Sequence, residues 1–403
     1  MSKKLLLLSV NWPYKTGETF LENEIKYIQG FDEVYCLPFN CEGERTRSVP
    51  DNIRICPLKK ISRKKALFVF LFTRLFWSEF FYLCKEHKLK KSNIKLLLQA
   101  GYMQQQRYRA LKKWYKCRIS KTDDVMIYTY WMASDAMAVS RLKAKGVKHV
   151  TRCHGFDLYA YTTNGDYLPF QRKILQSANK IMPISLDGAK YLNERYQNRY
   201  KEKIEVSRLG TFDWGYGFEK GRGQVLKIVS CSNIIPVKRV HLMLQALKYV
   251  KCSVLWLHFG EGYLRNELET QIKELPSHID FRFEGYIHNQ DLMKWYTKNA
   301  VDLFINVSES EGIPVSIMEA TSFGIPVIAT DVGGTGEIIK DGINGYLLPS
   351  QFEPQQLAEL IDAFYLQTDQ QRADMRKKTR DSWLQNYNAE KNYSSFYNII
   401  SGV

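Results

Sequence analysis

The stretch VDLFINVSESEGIPVSIMEATSFGIPVIATDVGGTGEII (residues 301–339) decides how the rest of the chain is read. An apolar run, VDLFINVS (301–308), ends in an acidic turn with a glycine, and PVSIMEATSF (314–323) follows with helical spacing. A second apolar run, IPVIATDV (325–332), comes next, and TGEIIKDG (335–342) opens another helix. Strand, turn, helix and strand again is the βα repeat of a parallel sheet. Pro314 suits the first helical position, where its missing N–H costs nothing, and Gly324 suits the left-handed residue that closes a helix. The turn then sets the N–H groups of Gly312 and Ile313 at a helix N-terminus, an arrangement that binds anions. Glu311 on the loop and Glu319 on the helix put two carboxylates beside that anion site, a pattern suited to sugar hydroxyls. Each carboxylate also has an ordinary reading, Glu311 as a partner of the helix dipole and Glu319 as a helix-surface residue.

Outward from this stretch the alternation continues. QVLKIVSCS (224–232), CSVLWLHFG (252–260) and IDFRFEGYI (279–287) read as strands, each followed by an amphipathic segment. Their apolar runs are continuous, as when helices cover both faces of a parallel sheet. After the first of them, Lys238 and Arg239 stand at the C-terminal edge of the sheet, where open α/β sheets bind ligands. A lysine there neutralises a diphosphate as a point charge. A merely solvated pair is the poorer reading, because cations at a helix start oppose its dipole. Gly260 in FGEGYLRNELE (259–269) and Tyr286 in FEGYIHNQDL (283–292) mark two more strand ends, and ordinary turn use accounts for either one alone.

The N-terminal half repeats the theme less regularly. Strands are expected at 4–10, 33–39, 124–131, 147–153, 179–185 and 203–209, with long basic-apolar helices over about 64–86 and 92–117. PYKTGETFLENEI (13–25) follows the first strand with a single glycine, Gly17, beside Glu18. It lacks G-x-G-x-x-G, and the second strand does not end in Asp or Glu, which disfavours a nicotinamide dinucleotide site. TRCHGFDLY (151–159) puts His154 just after a strand, where a structural role and a functional one are both open. These patterns predict an α/β protein of two domains, each with a parallel sheet. The expected division is 1–209, a linker at 210–223 with five glycines, a second domain at 224–384, and a last helix at 385–403 packing back on the first domain.

A chain of 403 residues has room for two such domains, and 45% apolar with 25% charged residues is ordinary globular composition. The eight cysteines never fall as C-x-x-C, which fits reduced thiols better than bridges or a zinc site. The opening MSKKLLLLSVNWPY carries an apolar run of only Leu5 to Val10, so it reads as a buried strand rather than a secretory signal. The net charge is +16, and residues 59–118 hold 17 Lys/Arg against Glu79 and Glu86. One segment therefore carries a net +15, while the remainder is nearly neutral.

Taken in order, SNIIPVK, FGEGYLRNELE, FEGYIHNQDL, SESEGIPVSIMEA, GIPVIATDVGG and GEIIKDGINGYLL resemble glycosyltransferase family 4, retaining enzymes of the two-domain GT-B fold. GETFLENEI, HGFDLY and RLGTFDWG resemble its branch in bacterial capsule, exopolysaccharide and lipopolysaccharide assembly. The resemblance implies an active site in the cleft between domains and a nucleotide-diphosphate sugar as donor. Glu319 would hold the ribose hydroxyls, and Glu311 would lie beside the transferred sugar with the Gly312 and Ile313 amides. Lys238 would stabilise the departing diphosphate, the Gly17–Glu18 loop would close over the phosphates, and His154 would sit at the acceptor side. Asn233 stands where the family usually has an arginine, so Arg239 or a residue of the first domain is expected to compensate. No D-x-D motif occurs, so neither metal nor cofactor is expected. The expected partners are the donor, a glycan or lipid-linked acceptor, and an anionic membrane surface facing 59–118, with the protein peripheral on the inner face of the plasma membrane. A nucleotide-sugar epimerase of the same fold is the alternative chemistry. Nucleic-acid binding through 59–118 is the alternative class, disfavoured by the hydrophobic run ALFVFLFTRLFWSEFFYLC (66–84).

Overall fold

The computed structural model describes residues 2–15, 17–142, 147–218 and 223–403. The chain folds as two compact units, one formed by Met1–Leu209 with Asn392–Val403 and the other by Gly210–Lys391.

The first unit is built on six parallel strands: β1 (Lys3–Ser9), β2 (Glu33–Pro38), β3 (Ile53–Ile55), β4 (Asp124–Thr129), β5 (Val147–Cys153) and β6 (Lys180–Pro183). Their order is β3-β2-β1-β4-β5-β6. The KKLLLLS run of β1 is continuous because both faces of the sheet are covered. Leu5 and Leu7 join a core with Phe396, Tyr397 and Ile400 of the last helix, whereas Leu6 and Leu8 pack against Ala110 and Leu111 of the helix Lys91–Arg118. Two ion pairs lie inside this unit. Arg107 meets Asp135 at 2.7 Å and also donates to the carbonyls of Ser9 and Leu37, tying the long helix to the ends of β1 and β2. Arg152 of β5 meets Glu24 at 2.5 Å with neither side chain exposed. Burial pushes the Glu24 carboxyl upward, and the Arg152 charge opposes it.

The second unit has β7 (Val225–Cys231), β8 (Ser253–Phe259), β9 (Ile279–Gly285), β10 (Leu303–Asn306), β11 (Val327–Thr330) and β12 (Gly345–Leu348), again all parallel, in the order β12-β11-β10-β7-β8-β9. Read from the other end, this is the connectivity of the first sheet. The α/β class expected from sequence, with two Rossmann-like units, is the one found.

Several local expectations are corrected. The segment 203–209 forms only an isolated bridge from Ile204 to Ile181, and the short strands β3 and β12 lie outside the expected set. The helix expected over 64–86 is two, Arg63–Leu71 and Arg74–Lys85, because the Thr73 side chain caps the second by accepting from the Phe76 N–H. Pro314 occupies the capping position and the helix is Val315–Ser322, while Gly324 is left-handed at φ +72° as expected. The described part of the expected 210–223 linker is held within the second unit. Thr211 donates its N–H to Tyr387 and accepts from the Ala389 N–H and the Trp383 indole, and a Cβ at Gly210 would stand 2.4 Å from the Ala389 Cα. Residues 219–222 lie outside the described residues.

Candidate active site

In each sheet the strand order reverses once, between β1 and β4 in the first and between β7 and β10 in the second. At such a point the following loops diverge and leave a crevice at the strand ends.

In the second unit, the loop after β7 carries Lys238 and the loop after β10 carries Glu311. The two side chains meet across the reversal, with Lys238 Nζ 2.6 Å from Glu311 Oε1. Asn306, the last residue of β10, offers its amide to the same carboxylate oxygen at 3.4 Å. The loops are also joined through backbone, as the Glu309 N–H donates to the Val237 carbonyl at 2.8 Å. A third loop closes on them. The Gly334 N–H donates to the Gly312 carbonyl, and Gly333 approaches so closely that a Cβ would stand 1.9 Å from the Glu311 carbonyl oxygen. Among the described residues no carbonyl accepts from the N–H groups of Gly312 or Ile313. A half-buried lysine, a carboxylate and two unclaimed amides just ahead of the Pro314 cap thus stand in adjoining loops.

Glu319 is half-buried on the helix Val315–Ser322. Burial pushes its carboxyl up to about 7, and a 2.6 Å hydrogen bond from the Asn289 amide pulls the other way. Cys231, at the end of β7, lies in the field of both charged groups. Burial pushes its thiol up to about 12, Glu319 adds to the rise and Lys238 opposes it. Lys238, Glu311, Glu319 and the two amides are therefore brought to one edge of the second sheet.

Other predicted residues have different roles. Arg239 is buried in a left-handed conformation at φ 48°, and its guanidinium donates to the carbonyls of Val307, Ser308 and Ser350. Its guanidinium is thus engaged within its own unit, while Asn233 is exposed. Gly260, at φ 145°, lets the β8 loop lie against the β7 loop, since a Cβ there would stand 1.9 Å from the Ser232 carbonyl oxygen. Tyr286 is exposed at the end of β9, its ring near His288.

The first unit's reversal is occupied from within. Glu18, buried and left-handed at φ 59°, accepts from the N–H groups of Val10, Asn11 and Trp12 at 2.7–2.8 Å. The Trp131 indole, just past β4, donates to the same carboxylate at 2.8 Å. Successive amides converging on one point form an anion-binding nest, and here the anion is the chain's own side chain. The Glu18 carboxylate is thus engaged by its own unit, and Gly17 of the same loop lies against Asn11. The His154 ring lies tilted against Trp131 and Tyr130, with centroids 4.5 Å and 4.7 Å away, and its backbone N–H donates to Asp157. Its Nδ1 lies 3.9 Å from Asp157 Oδ2, and neither buried ring nitrogen has a hydrogen-bond partner among the described residues. No group of three or more His, Cys, Asp or Glu among the described residues stands close enough to hold a metal ion.

Residues 219–382 match the family model of glycosyl transferases group 1. The matched stretch lies wholly within the bounds of the second unit. In Escherichia coli K12, the protein named WcaL, for a colanic acid biosynthesis glycosyltransferase, is 25% identical over 63% of this chain and 65% of its own length. The amylovoran biosynthesis glycosyltransferase AmsK of Erwinia amylovora is 22% identical over 59% of this chain and 60% of its own length. The chain thus spans about three fifths of the length of the curated relatives it matches. Among solved structures, the lipopolysaccharide outer core galactosyltransferase WaaB superposes with a TM-score of 0.70 at 13% identity, covering 99% of this chain and all of that one. Anabaena HepE, in complex with UDP and glucose, superposes with a TM-score of 0.65 at 16% identity over the full length of both chains. These likenesses establish the shared fold.

Asn289, Asn306 and Trp131 escaped the reading of the sequence. Asn289 lies within FEGYIHNQDL and Asn306 within VDLFINVS, but a single amide gives no pattern. Trp131 matters only because two loops distant in sequence converge on its ring.

Proposed function

We propose that this protein is a retaining glycosyltransferase of family 4 that moves a sugar from a nucleotide-diphosphate donor to a glycan or lipid-linked acceptor in polysaccharide assembly. The observation that carries the proposal is the Lys238–Glu311 pair, 2.6 Å apart across the second sheet's reversal, beside the unclaimed amides of Gly312 and Ile313. The matched domain family and the relatives named for colanic acid and amylovoran biosynthesis support it, as do the UDP and glucose bound to HepE. A diphosphate entering there would draw Lys238 from Glu311 and take the two amides, leaving Glu311 free to accept from a sugar hydroxyl. Glu319 would accept from the ribose. In transfer, the bond between the anomeric carbon and the diphosphate oxygen breaks and the acceptor oxygen bonds the same face of that carbon. The acceptor's proton passes to the departing phosphate. Charge grows on the leaving oxygen, and each preorganised donor to such an oxygen is worth about 2.7–4 kcal/mol in comparable sites. In this reading the diphosphate is held by a lysine and amides, and turnover is unaffected by chelators. The first unit takes the acceptor, with His154 at its edge.

The test is a thermal-shift screen of nucleoside diphosphates and nucleotide sugars, since a ligand that binds the folded state raises its melting temperature. Stabilisation by one nucleotide sugar that vanishes in Lys238→Ala is the expected result. The absence of stabilisation by any of them would remove the proposal. The anomeric configuration of the product then tests retention.

A further inference from the structure

Of the net +15 in residues 59–118, +12 lies on three helices, Arg63–Leu71, Arg74–Lys85 and Lys91–Arg118, and the first two also expose aromatic rings. Phe68 on Arg63–Leu71 and Phe72, the residue that caps its C-terminus, are four positions apart and are 64% and 75% exposed. Trp77 and Phe81 repeat the spacing on Arg74–Lys85 at 48% and 63%. Within each pair the rings touch, with centroids 5.0 Å and 6.0 Å apart. Exposed Arg63, Lys64, Lys65, Arg74 and Lys85 surround this ridge. Beside it opens a groove of about 530 Å³ walled by Leu67, Ile94 and Leu98 and rimmed by Arg63, Lys91 and Lys95.

We propose that this face docks on the surface of a lipid bilayer containing anionic lipid, the aromatic ridge entering the headgroup boundary and the cations meeting the charge. The charge names the partner: exposed Phe and Trp ringed by Lys and Arg, with low net polarity along the ridge, complement an apolar layer beneath anionic headgroups. The inner side of the same helices fixes the depth. Phe70 fills the space above Gly101, where a Cβ would stand 2.0 Å from its ring. Glu79 is buried and accepts from the Tyr167 hydroxyl at 2.9 Å and the Phe170 N–H at 3.3 Å. Crossing the bilayer would tear these contacts open. Among the described residues no single helix is long and apolar enough to cross; these two reach that length and apolarity only together, bent by 67° at their junction, and the buried contacts of Phe70 and Glu79 oppose it. The helices therefore lie flat. This docking is independent of the transfer chemistry, and its test requires no activity.

The full chain is sedimented with phosphatidylcholine vesicles, with and without phosphatidylglycerol, at low and high salt. Binding is expected only with phosphatidylglycerol and is expected to weaken as salt screens the charges. Lys64→Glu with Lys65→Glu is expected to lower it on the order of tenfold or more. A variant with Phe68, Phe72, Trp77 and Phe81 all changed to Ser removes only exposed rings, so its melting temperature should hold while binding is lost. Brominated lipids should quench tryptophan emission in the wild type and less in Trp77→Phe. Equal binding to phosphatidylcholine alone, indifference to salt, or wild-type binding by the serine variant would each overturn the proposal. So would an oligonucleotide complex lost in the serine variant, which would give the face to nucleic acid. A wild-type dimer that the same variant dissolves would give it to a second copy of this chain.

Discussion

The two sheets share a connectivity and place a glutamate at the same topological point, yet they use it in opposite ways. At the first reversal Glu18 is buried and holds three backbone amides and an indole N–H. At the second, Glu311 holds one half-exposed lysine and a distant asparagine amide, and the neighbouring backbone amides are unclaimed. A reversal point in a parallel sheet gathers N–H groups whichever unit it lies in. Whether it is a ligand site depends on whether the chain supplies the anion itself. The first unit fills its nest with its own carboxylate, and in the second the amides of Gly312 and Ile313 have no such partner.

Breaking each side of this contrast should give different signatures. The largest effect expected is on turnover: Lys238→Ala should lower kcat about a hundredfold or more. Stability should change little, because partly exposed ion pairs contribute only about 0–1 kcal/mol. Steady-state kinetics alongside a urea melt would separate the two, and near-normal turnover would end the diphosphate assignment. Glu18→Gln should do the reverse. Placing an amide donor against amide donors should cost about 1.5–3 kcal/mol of stability, read as a lowered urea midpoint, with the donor's thermal shift retained.

Arg239→Ala comes next. Three carbonyls lose a charged donor, so a loss of about 1–3 kcal/mol is expected, with donor KM in the surviving folded protein close to wild type. A large rise in KM without destabilisation would return Arg239 to the role of compensating cation. The smallest effect is a titration. Glu319 has its carboxyl raised to about 7, so it is charged above that pH and increasingly neutral below it. A ribose hydroxyl donates better to the carboxylate, so donor KM should be flat above pH 7 and rise as pH falls through it. Glu319→Gln should raise KM and abolish the dependence. A pH dependence unchanged in that variant would place the titrating group elsewhere.

The sequence of this protein determined the layered α/β class and most of the candidate residues that gather at the second unit's strand ends. Continuous apolar runs separated by glycine turns leave few alternatives to a doubly covered parallel sheet, and SESEGIPVSIMEA carries its loop, helix start and carboxylates within thirteen neighbouring residues. Local chemistry is legible locally. Tertiary structure alone decided which side chains are spent on the protein itself. Arg239 adjoins Lys238 in sequence, yet its left-handed backbone turns the guanidinium toward three carbonyls, while Lys238 faces Glu311. Glu18 resembles a ligand-binding loop residue until the ends of β1 and β4 bring four donors around it. Neither outcome follows from residue type or spacing, because each depends on carbonyls and N–H groups that only the folded sheet places within reach.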